Sequence, residues 1–411
     1  MPSIIPFRAW LYAKSFSKEF DRLISPPYDV ISSSMLEDLR NKHSYNSVRL
    51  SIADDSKDPE RYKKMRERFL EWKSKGIFEQ SSAPSLYMIE EKFTVENKPR
   101  VRLGFVALLE VSDFSKREVL PHEKTLSGPK KDRLALLEEM GAELSQIFLC
   151  YKDSSRLLER IYEQESVKTP TMKIAQSYGV ERRMWALSDP DLIQKIQELL
   201  KSQSVLIADG HHRYETAVAY SQAERGPKSR YVQGYFTNLN APDFSILPIH
   251  RIFSLPEEWS FESFQNKLAE RFEIHPFAPG LRLDELVSRK SSQRIQFLMQ
   301  FSSDERVWLV ARKKESSEDA EIFALQRDIF DNLFHWNVAD ISYDVLKYEH
   351  ETESFKKTLS QMPRGVGVFL PPTDLELVMK LALKGERMPQ KSTFFFPKIA
   401  TGLVNYELGS T

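Results

Sequence analysis

The chain has 411 residues, and 59 Lys and Arg balance 59 Asp and Glu to a formal net charge of zero at pH 7. This balance argues against a protein that coats nucleic acid, because such proteins carry a basic excess. A single cysteine excludes an intramolecular disulfide framework, and no apolar run approaches the ~20 residues that span a bilayer. We expect a cytoplasmic protein with neither nucleic-acid nor membrane partners, and the oligomeric state stays open.

The N-terminal elements are marked by prolines and a polar turn. Residues 26–30 must be extended or turned, because each proline restrains the residue before it. A helix is predicted over residues 58–75, with a proline near its start and a glycine after its end. Residues 86–93 and 100–111 are predicted to form a hairpin around the turn at 96–99.

The middle of the chain alternates loops, helices and apolar strands. A loop at 121–128 leads into a helix predicted over residues 129–140. The apolar run 147–151 is a predicted strand that contains Cys150, which is expected to be a buried thiol and not a nucleophile. Further strands are predicted at 231–237 and 246–253.

The C-terminal elements begin with a helix from about residue 261, followed by a hairpin of residues 295–301 and 307–313. Residues 365–370 form a predicted buried strand, and a capping box at 373–376 starts a helix that ends near Gly385. Because hairpins are frequent and helices alternate unevenly with strands, the predicted fold class is α+β (mixed α/β), not a doubly wound sheet.

The domain organisation follows from the same pattern. Residues 1–255 are predicted to form an N-terminal, signature-bearing catalytic core. Residues 256–411 are predicted to form a C-terminal α+β part that returns to the core with the motif Lys391-Ser392-Thr393.

The most informative segment is residues 205–217. Its apolar start runs into Asp209-Gly210, and Tyr214, Ala217 and Val218 then fall at helical spacing. The pattern predicts a strand, a tight turn and a helix with Asp209 or Gly210 as the N-cap.

This helix start is suited to an anion. The amides of Gly210, His211 and His212 would point out of the positive end of the helix, and Arg213 adds a bidentate donor for phosphate oxygens. Alternatively, the two histidines cap carbonyls, pack at a core edge or are solvated. For a metal ion, Mg²⁺ on Asp209 is favoured over zinc, since neighbouring histidines diverge by about 100° on a helix.

Three further polar clusters contain candidate site residues. The first is His122-Glu123-Lys124-Thr125 with 130–133, and its alternative is a solvated charge run. The second is residues 248–251, which contain His250-Arg251, and its alternative is a surface strand end. The third is residues 389–398, which contain Lys391-Ser392-Thr393 and lead to Thr401-Gly402, and its alternative is a core strand with polar ends.

The inventory of cations, amides and few carboxylates fits phosphoryl transfer, where catalysis is mostly positioning and charge stabilisation. Neither a P-loop nor a dinucleotide-binding glycine motif is present. A hydroxyl acceptor would need a carboxylate as general base, and Glu123, Asp209 and Asp29 are the candidates.

Across nearly its whole length, the chain resembles a bacterial family long catalogued as a domain of unknown function. The matching segments, in the family's order, are residues 26–30, 121–125, 131–133, 208–217, 248–251, 391–393 and 401–403. Members resemble pyrophosphate-dependent L-serine kinases. The Asp-Gly-His-His-Arg element is also similar to that of archaeal free serine kinases, which implies a ParB/sulfiredoxin-like phosphate-binding core elaborated by additional hairpins and helices.

The resemblance implies a kinase that transfers a phosphoryl group from pyrophosphate to free L-serine for cysteine biosynthesis, with Mg²⁺ as cofactor. The alternatives are a ParB-like nucleotide-binding or regulatory protein without kinase activity, and a phosphate-ester hydrolase. The predicted site residues are Glu123, Asp209 and His212 for catalysis, Asp209 for the metal, Gly210, His211, Arg213, Arg251, Lys391 and Ser392 for phosphate, and Asp29, His122 and Lys124 for substrate.

Overall fold

The computed structural model describes residues 1–124, 127–223, 229–277, 291, 293–304 and 306–408, without the side chains of 127–130 and 339. Contacts divide the chain into two compact units. Unit 1 comprises residues 1–121, 125–245 and 397–411, and unit 2 comprises 122–124 and 246–396. The predicted boundary between residues 255 and 256 stays a prediction; in the division by contacts, the change of unit falls at residue 246 and the return at 397.

Unit 1 is built on a mixed sheet of nine described strands. The strand order is β6-β11-β8-β12-β5-β4-β10-β9, and β1 pairs with β5. Its strands are β1 (Ile4–Ile5), β4 (Leu86–Val95), β5 (Lys98–Glu110), β6 (Val119–Leu120), β8 (Ile147–Tyr151), β9 (Met172–Ser177), β10 (Val180–Leu187), β11 (Val205–Asp209) and β12 (Tyr231–Asn238). Two small sheets pair β2 (Trp10–Tyr12) with β3 (Phe78–Gln80), and β7 (Ala142–Glu143) with β21 (Tyr406–Glu407).

The α-helices described in unit 1 precede, connect and follow these strands. They are α1 (Phe20–Leu23), α2 (Ser33–Lys42), α3 (Val48–Ser51), α4 (Arg61–Ser74), α5 (Ser127–Met140), α6 (Leu157–Glu165), α7 (Pro190–Lys201) and α8 (His211–Gln222). Apolar residues of α6, α7 and α8 form one buried cluster with β5, β8 and β12. This core fixes the start of α8 against the sheet.

Several predicted elements of unit 1 are confirmed. The hairpin of β4 and β5 pairs Val95 with Lys98, and its turn residues Glu96 and Asn97 both have positive φ, as a two-residue hairpin turn requires. Cys150 is fully buried, and burial raises the pKa of its thiol. The predicted role of Cys150 as a core residue therefore agrees with its surroundings.

Unit 2 contains a six-stranded sheet of order β15-β17-β16-β19-β14-β18 and the pair β13-β20. The strands are β13 (Ser245–Leu247, which starts at the last residue before the change of unit), β14 (His250–Ser254), β15 (Glu273–Pro276), β16 (Arg294–Phe301), β17 (Val307–Lys313), β18 (Leu346–Glu349), β19 (Gly365–Phe369) and β20 (Phe394–Phe396). The helices described are α9 (Phe261–Ala269), α10 (Glu321–Ala324), α11 (Thr352–Gln361) and α12 (Leu375–Lys384). Phe355 and Leu359 of α11 pack on Ile252, Leu298 and Phe369.

Two predictions for unit 2 need correction. The single strand predicted over residues 246–253 is two strands, β13 and β14, interrupted at Pro248 and Ile249, because proline cannot donate to a ladder. The N-cap of α12 is Asp374, whose side chain accepts from Glu376 N–H, whereas the Thr373 hydroxyl donates to the Ser392 carbonyl.

The fold class is α+β, as predicted, while the ParB/sulfiredoxin-like relationship of its core stays a prediction. Among the residues that the structure describes, no helix is both long and apolar enough to cross a membrane.

Candidate functional site

The turn between β11 and α8 lies in unit 1 and has the predicted conformation. Gly210 is the N-cap, with a φ of 91°, a left-handed value that favours glycine. The helical ladder begins where Tyr214 N–H donates to the Gly210 carbonyl at 3.0 Å. The amides before Tyr214 therefore lie at the positive end of the helix dipole, where an anion is stabilised.

A β-bulge directs the end of β11. Ile207 pairs with Leu149 and Asp209 pairs with Phe148, so Ala208 is an extra residue on this strand. Bulges bend a strand and re-aim the side chains that follow, often beside functional sites. Here the bulge immediately precedes Asp209, and the sequence pattern alone gave no sign of it.

The Asp209 carboxylate is held between two cations. Its Oδ1 accepts from Lys398 Nζ at 2.6 Å, and its Oδ2 accepts from Arg213 Nη2 at 3.0 Å. Arg213 Nη1 also donates to the Gln146 carbonyl. All three charged side chains keep 14–17% of their surface exposed, so they remain within reach of a small ligand. We call residues 209–213 together with Lys398 the cradle.

The two histidines of the cradle differ in exposure. His211 is buried, with 9% of its surface exposed, while His212 is half-buried. The His212 carbonyl accepts from the Thr216 hydroxyl at 2.7 Å, one turn further along α8. His212 is thus the more accessible of the two for a ligand, and its predicted catalytic role stays a prediction.

Tyr28 lies near the cradle, next to the predicted substrate-binding residue Asp29. Burial raises the pKa of Tyr28, while the positive charges of Arg213 and Arg133 lower it. The Arg133 guanidinium stacks 4.3 Å from the centre of the Tyr28 ring. Asp29 is exposed in the short 3₁₀ turn Tyr28–Val30.

The cradle does not fit a magnesium ion bound directly to Asp209. Both carboxylate oxygens already accept hydrogen bonds from cations, and two positive charges at about 3 Å oppose a third at the same atoms. Within the described parts of the chain, no group of three His, Cys, Asp or Glu could hold a metal. The magnesium requirement stays a prediction.

The remaining predicted residues lie in unit 2, where Glu123 accepts hydrogen bonds from the loop of residues 389–393. Its Oε1 accepts from Ser392 N–H at 3.0 Å and from Thr393 N–H at 3.1 Å. The Thr393 hydroxyl lies 3.0 Å from the same oxygen and 2.8 Å from His122 Nε2. The Ser392 hydroxyl donates to the Pro389 carbonyl, so these polar groups serve the loop itself.

Arg251 secures the same loop from β14. Its guanidinium donates to the carbonyls of Ile249, Gln390 and Lys391 and stacks 4.6 Å from the Tyr348 ring centre. Burial lowers its pKa to about 10. We call His122, Glu123, Arg251, Ser392 and Thr393 the anchor cluster.

Two lysines adjoin the anchor cluster: Lys391, which was predicted to bind phosphate, and Lys124, which was predicted to bind substrate. Lys391 is exposed and has a left-handed φ of 55°. Lys124 is exposed, and its amide donates to the Met388 carbonyl at 3.3 Å. Thr125 and the side chain of Lys130 lie outside the described residues. The roles predicted for the unit 2 residues stay predictions.

Neither Lys398 nor Gln146 is among the site residues predicted from the sequence. Lys398 follows the aromatic strand β20 and Pro397, and it reaches Asp209 from 189 residues away. Its sequence signal was its place at the end of the polar and aromatic cluster 389–398, where no role was assigned to it. Gln146 contributes a main-chain carbonyl, which no side-chain motif can reveal.

Compared with known proteins, the chain matches over residues 4–333 the family described as a protein of unknown function (DUF1015). None of the curated proteins matches it. The solved structures that match include a mutant free serine kinase in complex with ADP, 12% identical with a TM-score of 0.36, and a free serine kinase in complex with AMP, 14% identical with a TM-score of 0.38. Both alignments cover 70% of this chain and 89% of the other. C-terminally truncated SbnI from Staphylococcus aureus is 13% identical with a TM-score of 0.36, over 73% of this chain and 86% of that one.

Proposed function

The chain belongs to the DUF1015 family of proteins of unknown function, and we propose that it is a phosphotransferase whose cradle holds the transferred phosphate. The acceptor is the hydroxyl of free L-serine, the donor is inorganic pyrophosphate, and the product is O-phospho-L-serine. One observation carries the proposal. Gly210, in a left-handed conformation, is the N-cap of α8, and the carboxylate of the preceding residue, Asp209, is paired with both Arg213 and Lys398.

The cradle supplies what phosphoryl transfer needs. Arg213 offers a planar donor pair for phosphate oxygens, and Lys398 offers a point charge. The amides at the start of α8 add oriented dipoles. In this proposal the two cations exchange Asp209 for the donor's oxygens, and they stabilise charge as it moves to the leaving phosphate.

The identities of donor and acceptor rest on the sequence resemblance. Residues 208–217 resemble the signature of serine kinases, and the matching segments span almost the whole chain. A compact donor agrees with the absence of a P-loop motif. Arg213, Lys398 and the amides at the start of α8 can bind phosphate oxygens without any contact to a nucleoside. Cysteine biosynthesis is the corresponding biological context.

The test is a transfer assay with purified protein, Mg²⁺ and L-serine, in which pyrophosphate, ADP and ATP are compared as donors. O-phosphoserine formed from pyrophosphate alone would support both substrates. Phosphoserine formed from ADP or ATP would support the serine kinase activity but would show that the donor is a nucleotide and not pyrophosphate. Phosphate release without phosphoserine would support the hydrolase alternative instead.

A matched variant shows whether the cradle is responsible. Arg213→Ala removes the planar donor and is expected to raise the donor KM and lower kcat. Saturable donor binding without any product would favour a binding or regulatory protein. Unchanged kinetics of the Arg213→Ala enzyme would show that the cradle does not bind the transferred phosphate.

A further inference from the structure

A small cavity in unit 1 opens beside the cradle. It has a volume of about 80 Å³ and shares Arg213 with the cradle. Its polar lining includes Tyr28, Arg133, Glu143 and Ser145, and its wall is otherwise largely apolar. A water needs about 10–15 Å³ of such space, so the cavity admits a few atoms of a small molecule but not a nucleoside.

Glu143 is the carboxylate of this cavity. It ends β7, and its Oε2 accepts from Gln233 N–H at 2.6 Å, which fixes the side chain. Burial raises its pKa to about 7, opposed by the Gln233 hydrogen bond and the positive charge of Arg213. The other charged or titratable side chains that line the cavity are Tyr28 and Arg133, and Arg133 is already paired with Asp132.

The sequence had offered other carboxylates for the same task. Both carboxylate oxygens of Asp209 already accept hydrogen bonds, from Arg213 and Lys398, within the cradle itself. Asp29 is exposed, and the Glu123 oxygen described above accepts from two amides. A general base works best when its pKa lies near the working pH, and Glu143, fixed by Gln233 N–H at the wall of the cavity, meets that condition.

From this geometry we infer that Glu143 accepts the proton of the acceptor hydroxyl, which occupies the cavity while the donor phosphate lies on the cradle. This inference rests on the proposed function. In the step, the acceptor O–H bond breaks and its proton moves to the Glu143 carboxylate. The freed oxygen forms a bond to phosphorus as the bond from phosphorus to the leaving phosphate breaks. Deprotonation of Glu143 by solvent then restores the enzyme.

The decisive variant is Glu143→Gln, whose amide oxygen can still accept from Gln233 N–H and so preserves the local fold. We expect kcat to fall about 100-fold or more, within the usual range for loss of a general base, with little change in the KM for pyrophosphate. Glu407→Gln is the matched control. It alters a carboxylate on the strand paired with β7, and Glu407 contacts Arg66 and Lys73 outside the cavity.

Chemical rescue separates a proton acceptor from a structural residue. Glu143→Ala enlarges the cavity, and added formate is expected to restore part of kcat in that variant, whereas the rate of Glu407→Gln, which keeps Glu143, should not respond to formate. The pH profile adds a second readout. The wild-type rate should rise through about pH 7 as Glu143 loses its proton, and the variant should keep only the titration of the phosphate donor.

The outcomes distinguish the two proposals. A wild-type protein that forms no phosphoserine would overturn the proposed function and this inference with it. An active wild type whose Glu143→Gln variant keeps its kcat would overturn the inference alone. If Glu143→Gln does not fold, formate rescue of Glu143→Ala decides: rescue supports the role, and its absence in a folded Glu143→Ala protein contradicts it.

Discussion

The cradle of unit 1 and the anchor cluster of unit 2 use similar residues in opposite ways. In the cradle, Asp209 bonds to the side chains of Arg213 and Lys398. In the anchor cluster, Arg251 donates to main-chain carbonyls and Glu123 accepts from main-chain amides. A ligand can replace one side-chain partner by another, but replacing a main-chain partner disrupts a loop. The comparison teaches that the partner of a charged residue, more than its type, indicates whether it can bind a ligand.

Among the tests of this comparison, the largest effect is expected from Lys398→Met. Losing this cation should lower kcat/KM for the donor about 100-fold, as removal of one charge-stabilising donor does in other enzymes. Lys73→Met is the matched control, since Lys73 also pairs at 2.6 Å with a carboxylate of similar exposure, Glu407. Steady-state kinetics of both variants check the prediction. Equal losses in the two would mean that Lys398 acts only through stability.

A smaller effect is expected from Gly210→Ala, through the geometry of the cradle. An added Cβ would lie 3.1 Å from the Arg213 guanidinium, and φ is left-handed. Turnover should fall about tenfold because catalytic groups tolerate little displacement. Gly76→Ala is the control, with a φ of 66° and no atom within 4 Å of the new Cβ. Both variants should lose about 1 kcal/mol of stability, but only Gly210→Ala should lose activity.

Substitution of Glu123 tests the other side of the comparison. Glu123→Ala leaves the amides of Ser392 and Thr393 without this acceptor, which should lower the free energy of unfolding by about 1–3 kcal/mol. Glu123→Gln keeps an accepting oxygen and should unfold close to the wild type. Denaturant titration measures both. The predicted catalytic role of Glu123 is tested in the same proteins, because a stable but inactive Glu123→Gln would break the comparison.

The smallest expected effect is a change in thermal stability with pH caused by the Glu143 carboxylate. Its pKa is raised to about 7 in the folded protein, so the folded state binds this proton more tightly than the unfolded state. The corresponding stability is present below the unfolded pKa of about 4.5 and is lost as pH rises through about 7. Glu143→Gln should therefore raise the thermal midpoint by about 1–3 °C at pH 8 and change it little at pH 4.5.

The control for this pH series is again Glu407→Gln. That substitution breaks ion pairs with Arg66 and Lys73 and is expected to lower the midpoint. Calorimetric scans at pH 4.5 and pH 8 measure the difference. A Glu143→Gln protein that is less stable than the wild type at pH 8 would show that the carboxylate is held by favourable contacts.

Local signals in the sequence account for much of the fold. Apolar spacing and Gly210 are sufficient to predict the strand, turn and helix at residues 205–222, and the polar turn at Glu96 predicts the first hairpin. Two local details were less accessible. The break at Pro248 depends on ladder hydrogen bonding, and the cap of α12 depends on a competition in which Thr373 bonds instead to the Ser392 carbonyl.

The candidate site was less predictable because its partners are distant in sequence. Nothing near Asp209 indicates Lys398, and nothing in the run around Glu143 indicates that its carboxylate lines a cavity with Arg213. From the sequence alone, a charged motif such as His122-Glu123-Lys124 is as good a candidate for a catalytic site as the motif around Asp209. Only the three-dimensional contacts separate a residue bonded to side chains from one bonded to the main chain.

The position of Lys398 along the chain affects how the protein is made. Synthesis from the N-terminus delivers Asp209 and Arg213 early, then the segment 246–396 of unit 2, and only afterwards Lys398. While the ribosome is still translating that segment, the nascent carboxylate can meet Arg213 but not its second cation. The cradle is therefore assembled late, and a polypeptide released before residue 398 would carry the signature motif without a complete phosphate site.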